Sequence, residues 1–283
     1  MTPVKTKPDM PIYVIALETS QDRRDIMTER LAALDLDFTF IDAVLGKALS
    51  DSAVADITSP ERRNHLPMPL SKGAIGGGLS HLATWTKIAE GDAPMALILE
   101  DDAELTPAMI PILKRLEKLE DRIDIVNLHF RGGRLLVDIA RLSEDHNLTS
   151  CRYNSIGAES YVITKSAAQH LIDRYLPMVF EVDLFLNRWW DHGLHILTVN
   201  PPVVREDTSP TTIGYPSTQP QWPKDSLIYR LRRRLNRIAS SMLKRRLYPT
   251  MVATAKMRLM GTDPNDIGNN PEFPNLIRLT DHD

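Results

Sequence analysis

Three consecutive acids, Glu100-Asp101-Asp102, close an apolar run at residues 95–99 (MALIL). Such a run is a buried strand, so the acids stand where the strand leaves the core. In sheets with parallel strands, ligands bind beyond the carboxyl ends of the strands. On an extended backbone Glu100 and Asp102 point to one side and Asp101 to the other. Carboxylates this close repel unless a cation or a proton intervenes. Hard oxygen ligands of this kind suit Mg²⁺ or Mn²⁺, which can bridge a diphosphate and neutralise a departing nucleotide. The same triplet also fits a solvated turn or the acidic start of a helix.

Four other groups could take part. The stretch 71–81 (SKGAIGGGLSH) carries glycines that let a backbone approach a ligand, ahead of a helix whose free N–H groups suit an anion. It matches neither a P-loop nor a dinucleotide fingerprint, and a plain flexible loop fits it as well. His81 alone reads more simply as a hydrogen-bonded structural histidine than as a metal ligand. In Asp22-Arg23-Arg24, Asp22 complements a helix dipole, while Arg23 could reach a phosphate. Asp183 sits in an apolar setting, VFEVDLFL, where a desolvated carboxylate gains the raised pKa of a general base, although helix capping explains it too. Trp189 and Trp190 fit a core or a sugar-stacking surface.

The elements that must position these groups follow from periodicity. Residues 12–17 (IYVIAL) form a strand, residues 22–34 a helix with apolar side chains at helical spacing, and residues 37–41 a second strand. That β-α-β order opens an α/β domain with a parallel sheet. Further strands are expected at 95–99, 123–130, 160–164 and 194–199, with helices over 79–89, 106–119 and the residues up to 175. Residues 1–10 read as a flexible leader and 11–223 as the catalytic body.

The chain has 283 residues and a net charge of −3, with 42% hydrophobic residues, which is ordinary globular composition. Its apolar runs are too short to cross a bilayer, and its N-terminus lacks a secretory apolar region. A single cysteine, Cys151, excludes an intrachain disulfide, argues against a cysteine zinc site and fits a reducing cytoplasm. Charge is unevenly spread. Residues 224–258 hold eleven of the 34 Lys and Arg and one acid. Within them Ile228, Leu231, Leu235, Ile238 and Met242 recur at intervals of three and four among arginines. This predicts a basic amphipathic helix ending near Pro249, whose apolar seam at 228–246 suits an anionic membrane surface. Aromatics interleave there only as Tyr229 and Tyr248, which argues against nucleic acid. Residues 259–283, rich in Asn, Asp and Pro, read as loosely ordered.

Taken in order, the segments are more specific than any one of them. YVIALETSQDRR is followed by Asp42-Ala43-Val44 with Gly46, then by Gly73, Gly76, Ser80 and His81, then by LILEDDAELTP. SYVITKSAAQHL, the Val182-Asp183 pair and a stretch ending PTTIG complete the series. Over residues 11–214 the chain resembles glycosyltransferase family 25, the lipopolysaccharide-biosynthesis and collagen-galactosyltransferase group.

The resemblance implies a GT-A-like α/β fold, mainly parallel, and inverting transfer of a hexose from a nucleotide sugar, typically UDP-galactose. The acceptor would be a lipopolysaccharide-type or other glycan. It implies Mn²⁺, or Mg²⁺, held most directly by Asp102, with Glu100 near the ribose or a metal-bound water. Donor binding would then fall to Arg23, Asp42, Gly73, Gly76, Ser80, His81, Glu100 and Asp101, and the base or acceptor role to Asp183. Two positions depart from the pattern. Ala16 stands where Asn is frequent, and Gly77 where Cys is usual, which predicts a more mobile glycine loop. The rival reading is a degenerate, non-catalytic sugar-nucleotide-binding module, against which the intact Glu100 and Asp102 argue. The expected location is the cytoplasmic face of the cell membrane, held there peripherally.

Overall fold

The computed structural model describes residues 7–129, 134–153, 157–206 and 226–260. Residues 1–6 of the expected leader, the PTTIG stretch and the tail from 261 lie outside the described residues. In chain order the elements are β1 (Ile12–Ala16), α1 (Gln21–Ala33), β2 (Thr39–Asp42), α2 (Asp51–Ile57), α3 (Arg62–His65), α4 (Lys72–Glu90), β3 (Met95–Glu100) and β4 (Ala103–Leu105). There follow α5 (Met109–Glu117), β5 (Ile125–Asn127), β6 (Arg134–Arg141), β7 (Asn147–Tyr153), β8 (Ser160–Thr164), α6 (Lys165–Tyr175), α7 (Val182–Leu186), α8 (Trp189–His192), β9 (Ile196–Asn200), β10 (Val204–Glu206) and α9 (Leu227–Met260).

One eight-stranded sheet carries the core, in the order β2-β1-β3-β8-β5-β9-β7-β6. Strands β1, β3 and β8 are buried along their whole length except at Glu100, which explains their unbroken apolar sequences. The pairs β1–β2, β1–β3 and β5–β9 are parallel. Strand β8 runs antiparallel between β3 and β5, and β7 runs antiparallel between β9 and β6. Six strands therefore share one direction and two oppose it. This is the mainly parallel α/β sheet of the GT-A-like expectation, with reversals at β8 and at the β6–β7 hairpin.

Parallel pairing brings strand ends to one edge. Ala16 is level with Asp42, and Ile15 with Glu100. Because β8 runs the other way, its start is at the same edge, where the Glu100 amide donates to the Glu159 carbonyl at 2.8 Å.

Three expectations need correction. The residues before β1 are docked, not free, from residue 7 onward: Lys7 pairs with Asp35, Met10 is buried, and Glu117 accepts the amide of Met10. The glycine cluster is not a loop. It lies inside α4, which starts at an N-cap where Ser71 accepts from the Ala74 amide. Nor does the basic helix stop near Pro249 or form a separate segment. α9 runs on to Met260, and Tyr248, Met251, Val252, Ala255 and Leu259 are part of the core.

Candidate active site

The acids occupy a turn held from both sides. Glu100 ends β3, Asp101 and Asp102 form the turn, and β4 pairs antiparallel with β10 immediately afterwards. Arg30 of α1 donates to the Ala103 carbonyl at 2.9 Å, which fixes the exit of the turn. Glu100 is thus fixed on the strand and Asp101 and Asp102 in the turn, and each carboxylate meets different neighbours.

Glu100 is oriented by a buried relay. Trp85 donates to the Tyr161 hydroxyl at 2.8 Å, and that hydroxyl lies 2.8 Å from His81 Nδ1. The indole N–H can only donate, so the hydroxyl oxygen accepts there, and its own proton and second lone pair face His81 Nδ1. The other ring nitrogen of His81, Nε2, lies 3.1 Å from Glu100 Oε1. Burial holds the Tyr161 phenol protonated well above its usual range. Tyr161 was not among the residues expected at the site, because a tyrosine inside an apolar strand carries no motif.

Asp101 pairs with Arg23 at 2.6 Å, so this arginine reaches the acid turn from α1. Burial raises the Asp101 carboxyl and Arg23 opposes that rise. Asp102 has no such partner. Its Oδ1 is buried and without a hydrogen bond among the described residues. Burial first, then the charges of Glu100 and Asp101, push its pKa up to about 6.

Asp183 stands in the first turn of α7, where its carboxylate accepts the Leu184 amide at 2.7 Å. Burial raises its carboxyl, with further contributions from Glu181 and Glu100. The fold thus brings Asp183 within electrostatic reach of the β3 turn. Asp42 ends β2 and pairs with Arg24, which also holds the carbonyls of Ala16 and Leu17. Most of the Asp42 side chain remains open to solvent.

The remaining residues of the glycine stretch build the frame. A Cβ on Gly76 would stand 2.5 Å from the Val44 carbonyl and 2.7 Å from the Gly46 amide, so the loop after β2 rests directly on α4. Ser80 secures the same loop, accepting the Val44 amide at 2.8 Å and donating to the Gly76 carbonyl at 2.7 Å. Gly73 lies in the first turn of α4. Trp189 is core, whereas Trp190 is half-buried beneath the Lys244 ammonium, 3.8 Å from its ring centroid. Among the described residues no group of three or more His, Cys, Asp or Glu converges as a metal-binding cluster.

The sheet edge thus gathers carboxylates, an arginine and a histidine at one turn. The chain belongs to glycosyltransferase family 25, whose model, described as an LPS biosynthesis protein, matches residues 9–186. It is 28% identical over 165 residues to a relative from Haemophilus influenzae, covering 57% of this chain and 56% of that one. It is 28% identical over 191 residues to procollagen galactosyltransferase 2 of Homo sapiens, covering 60% of this chain and 30% of the relative. With procollagen galactosyltransferase 1-B of Xenopus laevis it shares 33% over 192 residues, 64% of this chain and 31% of the relative. The matches thus span little more than half of the bacterial relative and under a third of the two procollagen enzymes. Among solved structures, the inositol-1-phosphate CTP transferase from T. maritima aligns over 80% of this chain and 96% of its own at 12% identity and a TM-score of 0.39. The fold assignment rests on the sheet itself.

Proposed function

We propose that this glycosyltransferase moves a hexose, galactose from UDP-galactose in the first instance, onto a glycan acceptor of the lipopolysaccharide or lipooligosaccharide type, with inversion at the anomeric carbon. The observation that carries the reading is the β3 turn, where a buried carboxylate oxygen without a partner lies beside a second, oriented carboxylate. The orphaned Asp102 Oδ1 and the raised pKa of this acid fit a divalent cation, Mn²⁺ or Mg²⁺, with Glu100 as its neighbour. When bound, such an ion supplies Lewis-acid stabilisation of the nucleoside diphosphate as it leaves.

The chain's own residues would do the rest. His81 and Tyr161 keep Glu100 in one orientation, and Arg23 holds Asp101 while presenting positive charge at the same turn. Asp42, at the end of β2 on the far side of β1 from β3, keeps most of its side chain open to solvent and would contact the nucleoside. Asp183 acts as the general base. The acceptor hydroxyl oxygen attacks the anomeric carbon, the bond from that carbon to the diphosphate oxygen breaks, and the hydroxyl proton passes to the Asp183 carboxylate. Its partly desolvated position raises its affinity for that proton.

A lipid-linked acceptor places the enzyme at the cytoplasmic face of the cell membrane. No helix among the described residues is long and apolar enough to cross a membrane.

A screen of labelled UDP-hexoses with a lipopolysaccharide-type acceptor and Mn²⁺ tests the reading. Transfer from UDP-galactose giving a β-linked product is expected. Retention of the donor's configuration would contradict the mechanism. UDP binding without transfer or hydrolysis of any donor would leave only the degenerate binding module.

A further inference from the structure

An amphipathic helix on a protein body ordinarily buries its apolar stripe and exposes its charges. The second half of α9 buries its apolar stripe, with Met251, Val252, Ala255 and Leu259 in the core. Its first half is inverted. Tyr229, Arg233, Asn236 and Lys244 face the body: Arg233 donates to the Arg63 carbonyl, Asn236 to the Asn64 carbonyl, the Arg63 guanidinium lies 4.0 Å from the Tyr229 ring centroid, and Lys244 covers Trp190. Partial burial lowers the Lys244 pKa to about 8.

The apolar stripe faces away from the body. Ile228, Leu231, Leu235, Ile238 and Met242 are 47–65% exposed, and at 3.6 residues per turn they fall within an arc of about 80°. Arg230, Arg234, Arg237 and Arg245 are exposed along one flank of that arc; at its other edge stand Arg246 and, beyond it, Arg232, which also donates to Asn64 Oδ1 at 3.3 Å. Two independent features thus coincide on one face: a continuous apolar strip and cationic margins. An apolar patch of this size on a soluble surface calls for a covering partner, and the margins state that partner's charge.

We propose that residues 228–246 form a docking face for an anionic lipid bilayer, the stripe entering the headgroup boundary and the flanking arginines meeting lipid phosphates. The face is preoriented, because the same helix continues into the core and is clamped there by Arg258 on Asp124 at 2.8 and 2.9 Å. The enzyme would therefore sit on the membrane in one orientation. This inference stands independently of the donor, the metal and the base.

Sedimentation of the full chain with phosphatidylcholine vesicles, with and without phosphatidylglycerol, tests it. Capture is expected only with phosphatidylglycerol, and is expected to fall steeply with salt. The pair Leu231→Asp and Leu235→Asp should cut capture about tenfold or more, and the pair Arg234→Gln and Arg237→Gln should weaken it about as much and flatten its salt dependence. Both pairs are solvent-exposed, so the thermal midpoint should hold. Equal capture by both vesicle types, capture by neither, or undiminished capture of the Asp pair would overturn the proposal. So would a dimer that the Asp pair dissociates, which would make a second copy the occupant. A marked drop in thermal midpoint with the Asp pair and no capture of the parent would point instead to cover by residues 207–225 or 261–283 of the same chain.

Discussion

At the scale of single residues, burial and neighbouring carboxylates make Asp102 costly to the fold at neutral pH. Its folded pKa of about 6 lies above the ordinary 3.8, so the folded protein binds this proton more tightly than the unfolded chain does. Its contribution to stability is full below about pH 4 and is lost as pH rises through about 6. At neutral pH, without a cation, Asp102→Asn is therefore expected to stabilise the fold by about 1–3 kcal/mol. Urea unfolding at pH 7 and at pH 4 checks this, since the gain should vanish at the lower pH. A variant less stable than the parent at pH 7 would contradict the burial argument. Asp183 carries a different expectation. Asp183→Asn should lower the transfer rate roughly 10²-fold with donor KM little changed, which steady-state kinetics on both substrates would resolve. A collapse of donor affinity would make it a binding residue instead. The acids were legible because three charges after an apolar strand are conspicuous. Tyr161 and Trp85 were not, since a polar tip on a core side chain leaves no trace in periodicity.

Elements show where local propensity was overruled. Glycine is a poor helix former, so the run Gly76-Gly77-Gly78 reads as a loop, yet all three lie within α4. Tertiary contact is the reason. Gly76 lets the loop after β2 touch the helix backbone, and Gly78 lets the Tyr175 hydroxyl in, 2.2 Å from where a Cβ would stand. Gly77 meets nothing within 4 Å. Gly77→Ala should therefore stabilise by about 0.5–1 kcal/mol, whereas Gly76→Ala should cost about 1–3 kcal/mol by forcing backbone apart. Thermal unfolding of the two variants separates these outcomes, and equal effects would contradict the packing account. Pro249 misled for a related reason. It predicts a helix end, but burial of Tyr248 and Met251 on either side carries α9 through it. Strands β1, β3 and β8 were legible from their apolar runs. The β6–β7 hairpin was not, because Arg134 and Arg141 bound a strand with exposed Leu135 and Leu136 and weak alternation.

Across the whole molecule, α9 has two parts: its end completes the core and its start presents an exposed apolar stripe, the proposed docking face. The charge asymmetry was legible from composition. That the basic helix also closes the sheet was not, because core contacts formed with β6 and β7 cannot be told from an isolated helical pattern. The anchor is Arg258 on Asp124, which also accepts the His195 amide at 2.8 Å. Hydrogen bonds from His195 and Arg258 outweigh burial and hold the Asp124 carboxyl well below the usual carboxylate range. Its stabilising contribution is thus present above about pH 4 and lost only in strong acid. Arg258→Met should cost about 2–4 kcal/mol at neutral pH by leaving a buried carboxylate without its cation. Urea unfolding reports it, and a neutral result would detach α9 from the core's stability. The donor site proposed at the β3 turn depends on a bound cation. Calorimetric titration of UDP into the protein, with Mn²⁺ and with a chelator, tests it directly on the parent and on Asp102→Asn. Tight binding is expected only for the parent with Mn²⁺, and the substitution should weaken it about 10²-fold. Equal UDP affinity with the chelator, or in Asp102→Asn, would contradict the account.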